Sequence, residues 1–315
     1  MDPAHGQRLS IAIAGGSGQI GRFLAAHFQS AGHRVVVLTR APFAANWPTV
    51  YWDGRHEELF RQDSWIEALS GADVLINLAG RSIACPFTRQ NRQAIRDSRI
   101  HSTRVLGRAL ASLPTPPRLW LNASSAIIDS FPAGTTARGA AAFLARLTEE
   151  WEAEFFRAPI PHTRKVALRS ALFLAPQSGN LFATLSLLVR AGLGGTLGNG
   201  RQTISWIHAA DYARAIDFLI QRDDLNGPFN LAAPTPLPNR AFMAALRDAW
   251  DRPNGLPWPA PLLWLAGLVR ADLRLALHSC HAVPGRLEHA GFGFEFPGWP
   301  SAAQDLVRRW HERSL

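Results

Sequence analysis

Ser10-Ile11-Ala12-Ile13-Ala14-Gly15-Gly16-Ser17-Gly18-Gln19-Ile20-Gly21 is the stretch whose reading decides the fold. A short, apolar, strand-like run ends in glycines. Over Gln19–Ser30 the apolar positions Ile20, Phe23, Leu24 and Phe28 recur at helical spacing, and Gly32 supplies a stop. Arg34–Thr39 then reads as a buried strand, a continuous β-branched and aliphatic run. Strand, glycine turn, helix and strand make the first half of a parallel nucleotide-binding sheet.

Glycines cluster in many turns, so the Gly-x-x-Gly-x-x-Gly spacing takes its meaning from the strand before it and the helix after it. Gly15 allows the tight turn, Gly18 lets backbone approach a pyrophosphate, and Gly21 lets helix and strand pack closely. Ser17, Gln19 and Ile20 complete the loop and open the helix, whose unpaired N–H groups face the phosphates. The end of the second strand then selects the dinucleotide. A carboxylate about 20 residues after the glycines holds the ribose hydroxyls of NAD. Here stand Thr39 and Arg40, with Arg40 19 positions beyond Gly21 and no acidic residue beside it. A guanidinium suits a 2′-phosphate through paired hydrogen bonds, so NADP(H) is the expected cofactor. The alternative is a surface arginine in an arginine-rich chain.

The alternation continues along the chain. Strands are expected at 73–78, 119–123 and 165–174, and helices at 89–113 and 140–156. Asn77, Leu78, Ala79 and Gly80 close the first of these strands. Small residues there let backbone lie against the adenine ribose, while Asn77 has the second option of satisfying buried backbone groups. The pattern predicts an α/β fold, a Rossmann-like doubly wound parallel sheet with a smaller C-terminal substrate-side domain. Pro228, Pro234, Pro236 and Pro238 mark a linker-like stretch, and prolines and tryptophans crowd 251–300. We therefore expect a nucleotide-binding domain at 8–235 and a C-terminal domain at 236–315, with parts of 175–205 reaching the substrate pocket.

A chain of 315 residues that is 47% hydrophobic can bury a large core, and 18% charged residues argue against extended disorder. The formal charge of +9 is spread over single arginines without a basic run, which argues against a nucleic-acid partner. Dinucleotide phosphates suit such a protein. Cys85 and Cys280 lie far apart and lack partners at metal-ligand spacing, so neither a metal site nor a disulfide framework is expected. Residues 1–8 show no signal-peptide pattern. The apolar stretch 262–269, behind Pro257, Pro259 and Pro261, is far shorter than the roughly 20 residues of a membrane span. It reads as a buried or interfacial helix. The expectation is a soluble, cytoplasmic protein with no membrane partner and an unidentified small-molecule substrate.

The residues resemble a group of atypical, extended short-chain dehydrogenases called the epimerase family, which carries a small characteristic C-terminal domain. The resemblance runs through Gly15 to Gly21, Leu38-Thr39-Arg40, 73–80 with Ile83-Ala84, and 95–100 with Thr103-Arg104. It continues through Trp151-Glu152, Arg169, Gly192-Leu193-Gly194-Gly195, Gly198, Gly200, Ser205-Trp206-Ile207-His208 and Asp211. Gly227-Pro228-Phe229-Asn230-Leu231 and Ala290-Gly291-Phe292 complete it. It implies a Rossmann-like domain, an NADP(H) cofactor and an oxidoreductase with an undefined substrate. Arg169 and Leu172 join the cofactor-binding candidates on this basis.

No tyrosine here sits four residues before a lysine, the pair that the commonest short-chain dehydrogenases use. The tyrosines are Tyr51 and Tyr212 and the one lysine is Lys165. The resemblance puts Phe143 and Leu147 at the positions of the pair, as relatives of this group tend to have. The chain departs further at Arg81, at Pro86-Phe87 and at Ile128-Asp129, where relatives tend to carry a glutamate, an Arg-Trp pair and tyrosines.

Carbonyl reduction needs a group to polarise the oxygen and a proton donor. Ser124 or Ser125, at the end of the central strand, can hydrogen-bond a substrate oxygen or simply terminate the strand. Asp129 is a proton donor if buried and a surface loop aspartate otherwise. His208 can shuttle a proton near neutrality or anchor its loop. The glycine-rich 192–200 segment reads as a flexible pocket lid. Two functional readings stand: an NADPH-dependent oxidoreductase, and a sensor or scaffold that binds NADP(H) and turns nothing over.

Overall fold

The computed structural model describes residues 8–56, 65–131, 139–177, 179–258 and 279–314. Residues 1–7, and the apolar stretch 262–269 with Pro259 and Pro261, lie outside these. The first half runs β1 (Ser10–Ala14), α1 (Gln19–Ser30), β2 (Arg34–Thr39), β3 (Thr49–Tyr51), β4 (Val74–Asn77), α2 (Arg89–Ser112) and β5 (Leu119–Ser125). A 3-10 turn at Ala126–Ser130 leads towards α3 (Ala140–Arg157). Then come β6 (Arg164–Ser170), β7 (Leu172–Leu174), α4 (Leu181–Arg190), β8 (Thr203–Ile204), β9 (Trp206–His208) and α5 (Ala209–Gln221). The chain ends with β10 (Gly227–Leu231), β11 (Leu237–Pro238), α6 (Asn239–Ala249), α7 (Gly285–His289) and α8 (Trp299–Ser314).

Seven strands form one parallel sheet in the order β10-β6-β5-β4-β1-β2-β3. The expected Rossmann-like α/β architecture is what the chain adopts. Both faces are buried, as a parallel sheet requires. Ile11 and Ile13 face a core shared with Leu24 and Phe28 of α1 and Ile216 and Leu219 of α5. Ala12 and Ala14 point the other way, into a core with Leu106 and Leu110 of α2 and Phe155 of α3. The strand order turns back between β1 and β4, and crevices for ligands open beyond the strand ends at such a point.

Two local departures from the expected elements matter. The single strand expected at 165–174 is two strands. Ala171 N–H bonds to Leu231 in the main sheet, whereas Leu172 N–H bonds to Ser205, and β7 leaves to pair with β9. The chain bends there because successive residues answer to different partners. β3 was not expected at all, being three residues long with a pattern too short to read.

A second core packs at the carboxyl end of the sheet. It joins Phe182 and Leu185 of α4, Trp206 of β9, Phe242 and Leu246 of α6, and Trp299 and Leu306 of α8. Trp299 stacks on Phe242 with ring centres 4.0 Å apart and donates its indole N–H to the Phe242 carbonyl. If the chain is divided at 235/236, this core lies across the division.

Candidate active site

Gly15 sits at the top of β1 with φ +74°, where a β-carbon would lie 2.7 Å from backbone atoms of Ala79. The loops after β1 and β4 therefore touch, backbone to backbone, and only glycine permits it. Gly21 makes room for the loop's own Gly16 (2.5 Å) rather than for the strand. No side chain caps the start of α1, so its first N–H groups remain available to an anion. Around this point a cleft of about 240 Å³ opens, with Gly15, Ser17, Gly18, Leu38, Thr39, Arg40, Leu78, Ala79 and Gly80 on its walls. Eight of the residues expected to bind a cofactor are among these. Gln19 is exposed and Ile20 packs on the core at the start of α1, outside the walls. Thr39 donates its hydroxyl to Ser17 Oγ at 2.9 Å, bracing the loop against β2.

The cleft also takes residues that sequence reasoning missed. Trp52, Asp53, Gly54 and Arg55 follow the unrecognised β3, and Ser98 and Ser102 come from α2. Asp53 Oδ1 accepts the N–H groups of Arg55 and His56, a turn that fixes Arg55 at the cleft. The Asp-Gly pair was the legible signal for it. Arg40, Arg55 and Arg81 thus converge on one cleft. A loop that tolerates no β-carbon at Gly15 or Gly16, an uncapped helix start and three arginines on the walls fit the phosphates of a dinucleotide. Asn77 is fully buried and does not face it. Its amide donates to Asn122 Oδ1 at 2.7 Å and its Oδ1 accepts Ala79 N–H at 3.0 Å. It holds the loop's shape, the second of its two expected roles.

Beyond Ile83 lies a second cavity, of about 180 Å³. Ser125, Ile127, Leu144, Ser170, Leu172, Ile204, Ser205 and Cys280 line it, and no charged side chain does so among the described residues. Leu172 thus faces this cavity and not the dinucleotide cleft. Burial pushes the Cys280 thiol up to about 11. Phe143 and Leu147 lie in an apolar cluster with Ile95, Ile100 and Trp151. Lys165 is at the opposite end of β6, where its ammonium donates to the carbonyls of Phe156 and Ala158 at 3.0 and 2.5 Å.

Three expected site residues have other partners. Ser124 points away from the cavity, since neighbours on a strand alternate, and donates to Glu152 Oε1 at 2.5 Å. Arg169 does not reach the cleft. It grips Glu152 through Nε at 2.8 Å and Nη2 at 2.7 Å, and reaches Asp129 through Nη1 at 3.2 Å. The hydrogen bonds it donates to Glu152, ahead of any cost of burial, hold the guanidinium above its ordinary range. Asp129 also accepts from Asn230 at 2.6 Å, so its carboxylate is tied into this network rather than offered to a substrate. Glu152 is the residue around which the network closes, and only the Trp-Glu pair hinted at it.

His208 is buried on a different side. Its Nδ1 accepts Ala210 N–H at 3.1 Å, capping α5, and Nε2 lies 3.1 Å from Asp305 of α8. Burial, against the pull of Asp305, depresses its pKa to about 4. Neutral at physiological pH and absent from the cavity walls, it anchors α8 to α5. The 192–200 segment is likewise no loose lid. Gly195 N–H bonds to Leu256, Trp258 N–H to Thr196, and a β-carbon on Gly195 would lie 2.3 Å from the Leu256 carbonyl.

Comparison with known proteins agrees with this geometry. The model of the NAD dependent epimerase/dehydratase family matches residues 11–232, and a domain of unknown function, DUF1731, matches 258–306. An epimerase family protein of Mycobacterium bovis is 34% identical over 293 residues, covering 90% of this chain and 93% of its own. The crystal structure of human epimerase family protein SDR39U1 with NADPH superposes with a TM-score of 0.79 at 25% identity, over 95% of this chain and 99% of that one. UDP-N-acetylglucosamine 4-epimerase from Bacillus cereus shares the fold, with a TM-score of 0.72 at 17% identity over 96% and 99% of the two chains. No helix among the described residues is long and apolar enough to cross a membrane. On the extent of the family match, this chain belongs to the NAD dependent epimerase/dehydratase family, in the branch of extended short-chain dehydrogenases that ends in the DUF1731 domain.

Proposed function

We propose that the protein is an NADP(H)-dependent oxidoreductase acting on a small, uncharged, largely apolar carbonyl compound. The observation that carries this reading is the cavity beside the dinucleotide cleft. Apolar side chains and hydroxyls line it, and no cation for a sugar nucleotide's diphosphate does so among the described residues. Arg40 and Arg55, with no carboxylate at the end of β2, support NADP(H), as does the human relative crystallised with NADPH.

When bound, the dinucleotide supplies a hydride with its electron pair to the carbonyl carbon. Gly15, Gly18 and the start of α1 hold its pyrophosphate, and Arg40 takes the 2′-phosphate. Ser125 donates a hydrogen bond to the substrate oxygen. Ile127, Leu144 and Leu172 exclude water from the reacting face.

A second reading, a nucleotide binder without turnover, is favoured by one observation. Among the described residues that line the cavity the one titratable side chain is Cys280, whose thiol burial pushes up to about 11. The test is NADPH oxidation across a panel of aromatic aldehydes and cyclic ketones. Turnover lost in Ser125→Ala establishes the enzyme. Tight NADPH binding with no consumption establishes the binder.

A further inference from the structure

Ser125 and Ser170 are register partners on adjacent strands, β5 and β6, and both line the cavity. Partners in a parallel pair project to the same side, and neighbouring strands lie about 4.8 Å apart. One oxygen between them can sit roughly 2.8 Å from both hydroxyls. We propose that Ser170 is the second hydroxyl donor to the substrate's carbonyl oxygen, and that Tyr212 is the positioning residue that aims it.

The direction follows from counting donors. Tyr212 is fully buried on α5, with Phe173 edge-on at 5.2 Å. Among the described residues its hydroxyl has one hydrogen-bond partner, Ser170 Oγ at 3.2 Å. A sealed phenol must place its proton somewhere, so Tyr212 donates and Ser170 accepts. Burial lifts the phenol to about 12, so it keeps that proton throughout the working range. Ser170's own proton is left to the carbonyl of Leu168, two residues back on its own strand, across 3.3 Å. That is a long and weak bond, and a substrate oxygen in the cavity is the better acceptor. Ser125 is similarly placed: its Oγ accepts Ile127 N–H at 3.4 Å, which leaves its proton free to point inward.

This inference rests on the reductase reading. As the carbonyl carbon takes up the hydride with its electron pair, the C=O π pair settles on oxygen. Ser125 and Ser170 keep their protons and donate hydrogen bonds to the forming alkoxide. Solvent water that reaches the oxygen, on the side away from the hydride, supplies the proton that completes the alcohol and leaves as hydroxide. Two aimed hydroxyls thus do electrostatically what a titrating acid would do by transfer.

The chain's two tyrosines make the test spectroscopic, because Tyr51 is 62% exposed and Tyr212 is buried. With 13Cζ-labelled tyrosine, the complex with NADP+ is titrated with benzaldehyde and cyclohexanone. The Tyr212 signal is expected to move and the Tyr51 signal to stay, with the response lost in Ser170→Ala. That variant should lose about a hundredfold in kcat/KM for the carbonyl and keep its NADPH Kd within twofold. Tyr212→Phe, which preserves the ring and the packing, should lose about tenfold in kcat with KM little changed. Wild-type kcat/KM in Ser170→Ala overturns the inference and leaves the reductase reading standing. So does a tenfold weaker NADPH Kd in Ser170→Ala, which would assign the hydroxyl to the nicotinamide carboxamide. A wild-type protein that binds NADPH, reduces no carbonyl and shows no Tyr212 response overturns both.

Discussion

The Ser124 hydroxyl donates to Glu152 Oε1 at 2.5 Å, with both side chains buried between β5 and α3. Its neighbour Ser125 faces the cavity. The alternation of one strand thus sends two adjacent serines to opposite sides, one into a buried network and one to the cavity. Ser125→Ala is expected to lower kcat/KM about a hundredfold with NADPH affinity unchanged. Ser124→Ala should instead cost about 1 kcal/mol of stability. Steady-state kinetics beside urea unfolding of the two variants checks the division, and equal kinetic losses would refute it.

Among the described residues, Glu152 is the only carboxylate that grips Arg169 with both oxygens. Glu152→Ala leaves that half-buried guanidinium with Asp129 alone, at 3.2 Å. We expect a loss of about 3 kcal/mol, read as a lower urea midpoint at constant slope. Replacing both partners, Glu152→Met with Arg169→Met, should recover part of that loss, because the guanidinium is then no longer stranded and the carboxylate left behind, Asp129, still accepts from Asn230.

Arg40 stands at the cleft beside Arg55. Arg40→Ala is expected to weaken NADPH binding between ten- and a hundredfold, about 1.4 to 2.7 kcal/mol, and NADH binding less than twofold. Calorimetric titration with both nucleotides measures this directly. A loss shared equally between them would mean that Arg40 does not meet the 2′-phosphate.

His208 predicts a pH dependence. Its folded pKa of about 4 lies below the ordinary value of 6.5, so between these limits the unfolded chain binds the extra proton. Stability attributable to His208 is then complete above pH 6.5 and falls as pH drops towards 4, by roughly 3 kcal/mol in total. Urea midpoints from pH 7 to pH 4 should show this slope. His208→Gln, though less stable at pH 7, should show a shallower one.

The sheet was legible because β1 and β2 are continuous apolar runs and α1 between them carries an unbroken helical period, and the glycine loop between β1 and α1 constrains backbone directly. The nucleotide cleft was half legible. Gly15, Thr39 and Arg40 announce themselves by spacing, whereas Arg55 depends on a three-residue strand and a turn that only the folded sheet places. The reaction end was least legible. Asp129, Arg169 and His208 are residue types that do chemistry, yet each is consumed by a partner remote in sequence: Asn230, Glu152 and Asp305. Ser170 and Tyr212 gave no local signal, since their meaning lies in a cross-strand register and a contact between β6 and α5.

The two halves of the site are drawn from very different spans of chain. The walls of the nucleotide cleft are complete by Ser102. The cavity instead waits for Cys280, and for Ser205 Oγ to bond the carbonyls of Cys280 and Ala282. Every described cleft residue lies between Gly15 and Ser102, whereas the cavity draws on residues from Ile83 to Cys280. A substitution that loosens the hold of Ser205 on Cys280 and Ala282 is therefore expected to reshape the cavity and leave the cleft as it is.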